Sequence, residues 1–153
     1  MQNNHVTQAR TSDNTCLISI GNTIYTSVSE WMSSMIEDTN KTCITCNEQL
    51  TLHHEFIFPL PFIALDFTGR IIQLDPTFTI FINNTEASYR LCGIIYFGEA
   101  HFTARVIYNH NMIWFHDGIT TGQKLEYEGL LNNDFPLNEC RNKEAIAAIY
   151  IPC

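Results

Sequence analysis

The stretch that decides the fold is YRLCGIIYFGEAHFTARVIYNHNMIWFHDG, which covers residues 89–118. Residues 91–97 are apolar and rich in β-branched side chains, residues 101–108 alternate, and residues 112–116 are mostly apolar again. Runs of this kind, separated by short turns that contain glycine or asparagine, are typical of β-strands. The pattern therefore predicts three successive antiparallel strands joined by two short turns.

A histidine begins the middle strand, and an aspartate follows the third. If residues 109–111 form a three-residue loop, Asp117 is the diagonal neighbour of His101 on one sheet face, about 7–8 Å away between backbones. A carboxylate at that distance can reach the imidazole, fix its tautomer and stabilise its positive form. A two-residue loop would reverse the alternation and bring His116 round instead. We favour a catalytic pair of His101 and Asp117, with His116 as the alternative orienting group.

Three segments of this stretch resemble the histidine box of the ubiquitin-specific proteases, namely residues 89–96, 101–105 and 114–118. In that family a strand is followed by Gly-His-Tyr-Thr-Ala and then by an aromatic cluster that ends in Asp or Asn. Other segments resemble the family in the same order: a CxxC sequence at 43–46, Leu-Pro with a hydrophobic strand at 60–67, and a closing strand at 145–151. The agreement in order is more specific than any one motif.

The resemblance implies a partial papain-like cysteine peptidase fold that acts on ubiquitin or a ubiquitin-like modifier. In it His101 is the general base, and Asp117 or His116 orients the ring. Ala100 and Phe102 depart from the glycine and tyrosine that flank the family's histidine, and residues 114–118 are closer to its SUMO-directed relatives. Because the family's nucleophile lies on a helix in an N-terminal half, we expect this chain to be inactive alone.

Two alternatives remain open: a catalytically dead module that binds the modifier, and an interaction domain unrelated to ubiquitin. Residues 14–16, Asn-Thr-Cys, partly match the family's nucleophile sequence, but they precede a strand-like run rather than the helix that would lower the thiol pKa. Without its N-terminal half, such a fragment exposes apolar surface. We therefore expect self-association or a capping partner, either at the face formed by Val28, Trp31, Met32 and Met35 or at the strand edge beside His101.

Composition limits the remaining possibilities. The chain has 153 residues, 45% of them hydrophobic, and a formal net charge of −8. This acidic balance argues against nucleic acid as a partner, because no basic patch can neutralise phosphates. No apolar run approaches the ~20 residues of a membrane span, and the start lacks the apolar core of a signal peptide. We expect a mobile N-terminus at 1–14, one domain at 15–153, and a cytoplasmic or nuclear location.

The clearest helix is predicted at residues 27–38, where apolar side chains recur at helical spacing and Ser27 with Glu30 forms a capping box. With the predicted strands at 16–20, 62–66, 71–74, 79–82 and 145–151, the fold class is α+β, mainly an antiparallel sheet with one amphipathic helix. Cys43 and Cys46 have metal-ligand spacing, but a structural zinc site needs four ligands. We expect no cofactor, with zinc at these two cysteines as the alternative.

Overall fold

The computed structural model of the chain describes residues 16–21, 23–109 and 111–153. The predicted mobile segment at 1–14 lies outside these residues, as does His110 in the predicted loop at 109–111. In chain order the elements are β1 (Leu17–Ser19), α1 (Val28–Ser34), β2 (Ile36–Thr42), β3 (Gln49–His53), β4 (Ile63–Asp66), β5 (Thr77–Ile82), β6 (Thr85–Gly98), β7 (His101–Tyr108), β8 (Met112–His116), β9 (Glu126–Leu130), β10 (Glu139–Cys140) and β11 (Lys143–Pro152).

A nine-stranded sheet in the order β1-β4-β11-β6-β7-β8-β9 forms the body of the described chain, with β10 paired to β11 and β5 paired to β6. All its pairs are antiparallel except β1 with β4. The hairpin of β2 and β3 forms a separate sheet. The prediction of a mainly antiparallel β fold with one helix is confirmed for the described residues, where α1 is the only α-helix.

The three central strands follow the predicted pattern closely. β7 and β8 have the predicted bounds, whereas β6 extends toward the N-terminus beyond the predicted 91–97. Glu99 and Ala100 both have positive φ, as a tight two-residue hairpin turn requires. Tyr108 pairs with Met112, so the predicted three-residue loop and its register are confirmed.

The helix is shorter than predicted. It begins as expected, because the Glu30 amide donates to Ser27 Oγ over 3.2 Å. It ends at Ser34, where Met35 adopts a left-handed conformation with φ 48 and its amide bonds to Trp31 O. The extension to residue 38 is wrong, since the chain leaves Met35 directly into β2, which pairs with β3. The apolar face of the helix is not the exposed surface expected of a fragment, because Val28, Trp31 and Met32 are buried in the core, as their helical spacing indicates.

The sequence also misplaced strands at two points. The predicted strand at 71–74 is an extended segment in which Gln73 alone forms a bridge, to Ser27. Ile72 and Leu74 are nevertheless buried there. Strand β9 and the β2–β3 hairpin were not predicted.

The two faces of the sheet differ in their cover. One face, which we term the covered face, forms the hydrophobic core together with α1, and β5 contributes its inward side chains to the same core. The opposite face of β6–β9, which we term the open face, carries residues 95, 97, 102, 104, 106, 108, 112, 114, 116, 127 and 130, as the strand register and side-chain alternation require. His101 is on the covered side, where β6 and β7 meet at their turn.

Candidate active site

The centre of the site is the contact between His101 and Asp117. His101 Nε2 lies 2.8 Å from Asp117 Oδ1. Because a carboxylate only accepts, Nε2 carries the proton and donates it, which leaves Nδ1 as the nitrogen with the lone pair in the neutral ring. The imidazole side chain is 29% exposed and the carboxylate 10%. The structure thus brings together the two residues that the sequence paired, with the base partly open to solvent and its orienting group nearly enclosed.

Asp117 is held in place by the turn that it begins. Its Oδ1 accepts backbone amides from Ile119 at 2.8 Å and from Thr120 at 3.4 Å. The Thr121 hydroxyl donates to the Asp117 carbonyl, and the Thr121 amide bonds to the same oxygen. The hydrogen bond from His101, followed by that from Ile119, lowers the pKa of Asp117 well below its ordinary value. The site therefore combines a permanent negative charge with an orientation fixed by backbone.

His116 does not share this contact. Its pairing with Ala104 puts it on the open face, because the three-residue loop fixes the alternation. There His116 Nε2 donates to the carbonyl of Gly122 over 3.0 Å. Of the two predicted orienting groups, the structure therefore joins Asp117, and not His116, to His101.

Gly98, the strand partner of His101, lies where β6 and β11 approach each other closely, which the sequence did not reveal. It pairs with His101 across the turn, while β11 passes close beside it. A Cβ at this position would lie 3.0 Å from Lys143 Cγ and 3.2 Å from the Asn142 carbonyl. Only glycine lets the two strands approach so closely here. The signal in the sequence is a glycine beside the turn that the turn itself does not require, because Glu99 and Ala100 have the positive φ values.

Sequence reasoning also missed the role of Arg105, four residues along β7 from the histidine. It is 6% exposed, and its Nε donates to Glu128 Oε2 over 2.6 Å. Its Nη1 donates to the carbonyls of Pro136 and Glu139 and to the Tyr96 hydroxyl. Arg105 therefore connects β7, the strand that begins with His101, to β9, to the loop before β10 and to β10 itself.

No described cysteine forms a hydrogen bond with the imidazole of His101. All six cysteines are within the described residues and carry thiols. Cys16 precedes β1, which is four strand spacings, or roughly 19 Å, from β7 across the sheet. Cys92 is six residues from the turn along β6, roughly 20 Å. Burial raises the pKa of both the Cys92 and the Cys140 thiol, which disfavours their reactive anions.

Cys43 and Cys46 lie in the connection between β2 and β3, which form the small second sheet. The His–Asp pair belongs to the nine-stranded sheet. Cys43 is buried, whereas Cys46 is exposed. The described residues contain no group of three or more His, Cys, Asp or Glu side chains that could hold a metal ion. Two thiols do not complete a structural zinc site.

No protein-family model matches the chain, and no curated protein matches it at a significant level. Within the described residues, no helix has both the length and the apolar character needed to cross a membrane.

Proposed function

We propose that this chain is the histidine-bearing part of a cysteine isopeptidase that acts on conjugates of ubiquitin or a ubiquitin-like modifier. The observation that carries the proposal is the 2.8 Å hydrogen bond between His101 Nε2 and Asp117 Oδ1. This bond fixes the tautomer in which Nδ1 can take a proton from a thiol. The partial exposure of His101 leaves room for a reacting group to approach.

The arrangement of the strands gives further support. Leu60 and Pro61 precede β4, the strands β6–β8 carry the His–Asp pair, and β11 lies between β4 and β6. The segments that resemble those of the ubiquitin-specific proteases follow one another in the same order as in that family. We infer a partial papain-like fold, the sheet half that presents the base to a nucleophile.

The chemistry assigned to this site needs a thiol from outside the described residues. His101 Nδ1 takes the thiol proton, and the resulting thiolate attacks the carbonyl carbon of the isopeptide bond. Asp117 stabilises the imidazolium that forms. The imidazolium then protonates the leaving lysine amine as the C–N bond breaks, which leaves a thioester. Water hydrolyses the thioester, with His101 again accepting a proton, and the thiol is restored.

The proposal is tested with ubiquitin whose C-terminus carries an electrophile that traps an active thiolate. We expect no labelling of the chain alone, and labelling of a cysteine in an extended protein in which a polypeptide that supplies the nucleophile half is joined to the chain. In the extended protein, Asp117→Asn should slow labelling about 10²–10⁴-fold, because the ring loses its orientation. His116→Gln is the matched control and should change little. Labelling that is unaffected by His101→Ala would refute the proposed role of the base.

One observation favours a second function, that of a module that binds the modifier without cleaving it: among the described residues the hydrogen-bond partner of His101 is Asp117, and no cysteine is bonded to it. Titration of the chain into fluorescently labelled ubiquitin and SUMO distinguishes the two. Saturable binding that survives His101→Ala, together with no labelling of the extended protein, would favour the binding module. Failure to bind and failure to label would favour an interaction domain unrelated to ubiquitin.

A further inference from the structure

The open face of the sheet is apolar over the area where β6–β9 lie side by side. Six of its side chains are between 39% and 59% exposed: Phe97, Phe102, Val106, Tyr108, Tyr127 and Leu130. The rings of Phe97 and Phe102 meet across two strands with centroids 4.7 Å apart, and those of Trp114 and Tyr127 are 5.2 Å apart. Cross-strand aromatic pairs of this kind stabilise the sheet that carries them.

The open face also lacks charge. Among the open-face residues from 95 to 130 there is no Asp, Glu, Lys or Arg, although the chain carries 24 such residues in total; Glu86 and Arg90 lie beyond this patch, in the part of β6 that pairs with β5. Arg105, Glu126 and Glu128, the charged side chains of β7 and β9, lie on the covered face instead, where Arg105 bonds to Glu128. The neighbouring strands β11 and β4 carry carboxylates, those of Glu144 and Asp66, at the border of the open face.

Over residues 101–106 the alternation of β7 is inverted relative to a sheet with one solvated face, whereas Ile107 is apolar and buried in the ordinary way. Phe102, Val106 and Tyr108 are exposed, whereas Thr103 and Arg105 are buried. A sheet with one solvated face normally turns its apolar residues inward and its polar residues outward. Such an inversion is expected of a strand whose outer face is itself covered in the assembled protein.

The exposed area suits a second copy of the chain. With about 100 Å² exposed on each large side chain that is half accessible, the six residues offer roughly 600 Å². Half-buried Ile95, Met112 and Trp114 add to this. A stable interface buries about 800 Å² on each partner. The area of the patch thus reaches the upper limit for exposed apolar patches on monomeric proteins. It also approaches the area that each partner of a stable dimer buries.

We propose that the open faces of two copies pack together in a symmetric homodimer, as the two sheets of a β-sandwich. A two-fold interface requires the same patch on both partners, and an uncharged patch satisfies this without placing like charges opposite each other. Sheets stack about 10 Å apart in this way, with their inward side chains interdigitated. His101 and Asp117 are on the covered side, so the dimer leaves them accessible and does not depend on the function proposed above.

Sedimentation velocity over a range of concentrations tests the dimer directly. We expect a dimer with a dissociation constant at or below about 10 µM. Added salt should tighten it, because each copy has a net charge of −8 and salt screens their repulsion. Association with a basic partner would instead weaken with salt.

Tryptophan quenching by acrylamide locates the interface. The chain has two tryptophans, and Trp31 is fully buried, so quenching reports on Trp114 of the open face. Quenching should decrease as concentration rises and the dimer forms. If quenching stayed constant while the sedimentation coefficient rose, the dimer would form through another surface. That result would overturn the proposal.

A charged substitution at the centre of the face completes the test. Val106→Glu puts two like charges at the two-fold interface and should weaken the dimer about 100-fold or more, with an unchanged far-UV circular dichroism spectrum. Ile71→Glu is the matched control, since Ile71 is 96% exposed and outside the strands. A wild-type chain that stays monomeric at about 100 µM overturns the proposal. A monomer whose Trp114 becomes protected only on addition of ubiquitin would also overturn it and assign the face to the modifier.

Discussion

The two faces of β7 place opposite kinds of side chain at alternate positions of one strand. On the covered face, His101 and Arg105 are polar and are satisfied by Asp117 and Glu128. On the open face, Phe102 and Val106 are apolar and exposed. The difference shows that hydrophobicity alone does not tell which face of this strand is inside. The inside is defined by partners: a buried polar group is tolerated where it is hydrogen-bonded.

Removal of a polar partner from the covered face should have the largest effect. Arg105→Met keeps much of the apolar volume but removes the donor from the carbonyls of Pro136 and Glu139, and it leaves the carboxylate of Glu128 with only its longer, 3.7 Å contact to Arg141. We expect the free energy of unfolding to fall by about 3–5 kcal/mol, measured by urea denaturation. Arg141→Ala is the comparison: its half-exposed ion pair with Glu126 contributes at most about 1 kcal/mol, and the stacking of its guanidinium on the ring of Phe115 adds about 0.5–1 kcal/mol, so the loss should stay well below that of Arg105→Met.

If the two arginine variants lost equal stability, the distinction between a partnered interior and a solvated rim would fail at this strand. The double variant Arg105→Met with Glu128→Gln should recover part of the loss, since it removes the unpaired charge.

How far the sequence predicted this arrangement depends on how local its cause was. The bounds of β7 and β8, their register and the His101–Asp117 contact follow from a turn and an alternation that can be read within 30 residues. Strand β9 could not be found in this way. Its sequence, EYEGL, has no apolar alternation, because Glu128 faces a buried arginine from another strand.

The same reasoning explains the helix and the hairpin. Apolar spacing continued through Met35 and Ile36, so the pattern predicted a longer helix. The pairing of β2 with β3 ended it. Cover of the sheet is likewise a property of distant segments: the packing of α1 and β5 decides which face is buried. That is why the exposed apolar surface expected of a fragment is not found on the helix face.

Gly98 tests the covered face by volume rather than by charge. Gly98→Ala adds a Cβ that meets Lys143 Cγ at 3.0 Å and the Asn142 carbonyl at 3.2 Å. We expect a loss of about 1–3 kcal/mol in denaturant unfolding, because backbone on β11 must move. Gly118→Ala is the matched control, since a Cβ there meets nothing within 4 Å and φ is not positive. Equal losses for the two variants would contradict the close approach of β6 and β11.

Asp117→Asn probes the pair itself through the pH dependence of stability. The folded pKa of Asp117 is lowered, first by His101 and then by Ile119, relative to about 3.9 in an unfolded chain. Its stabilising effect is therefore fully present above pH of about 4 and is lost as the pH falls toward the folded pKa. The melting temperature of the wild type should fall more steeply below that pH than that of the variant. Parallel curves for the two proteins would contradict the lowered pKa, since Asp66 and the other carboxylates are common to both.

Val106→Thr should have the smallest effect, and it sharpens the comparison because it changes the residue next to Arg105 in sequence. The substitution keeps the β-branched shape that suits a strand and replaces a methyl group with a hydroxyl on the exposed face. In a dilute monomer we expect the free energy of unfolding to change by less than about 0.5 kcal/mol, since water already reaches this position. At concentrations where the dimer forms, the same hydroxyl becomes buried without a hydrogen-bond partner. The loss in the free energy of unfolding should then be larger. Urea denaturation at low and high protein concentration separates the two cases: a loss above about 2 kcal/mol in the dilute chain would mean that the open face is covered within a single copy.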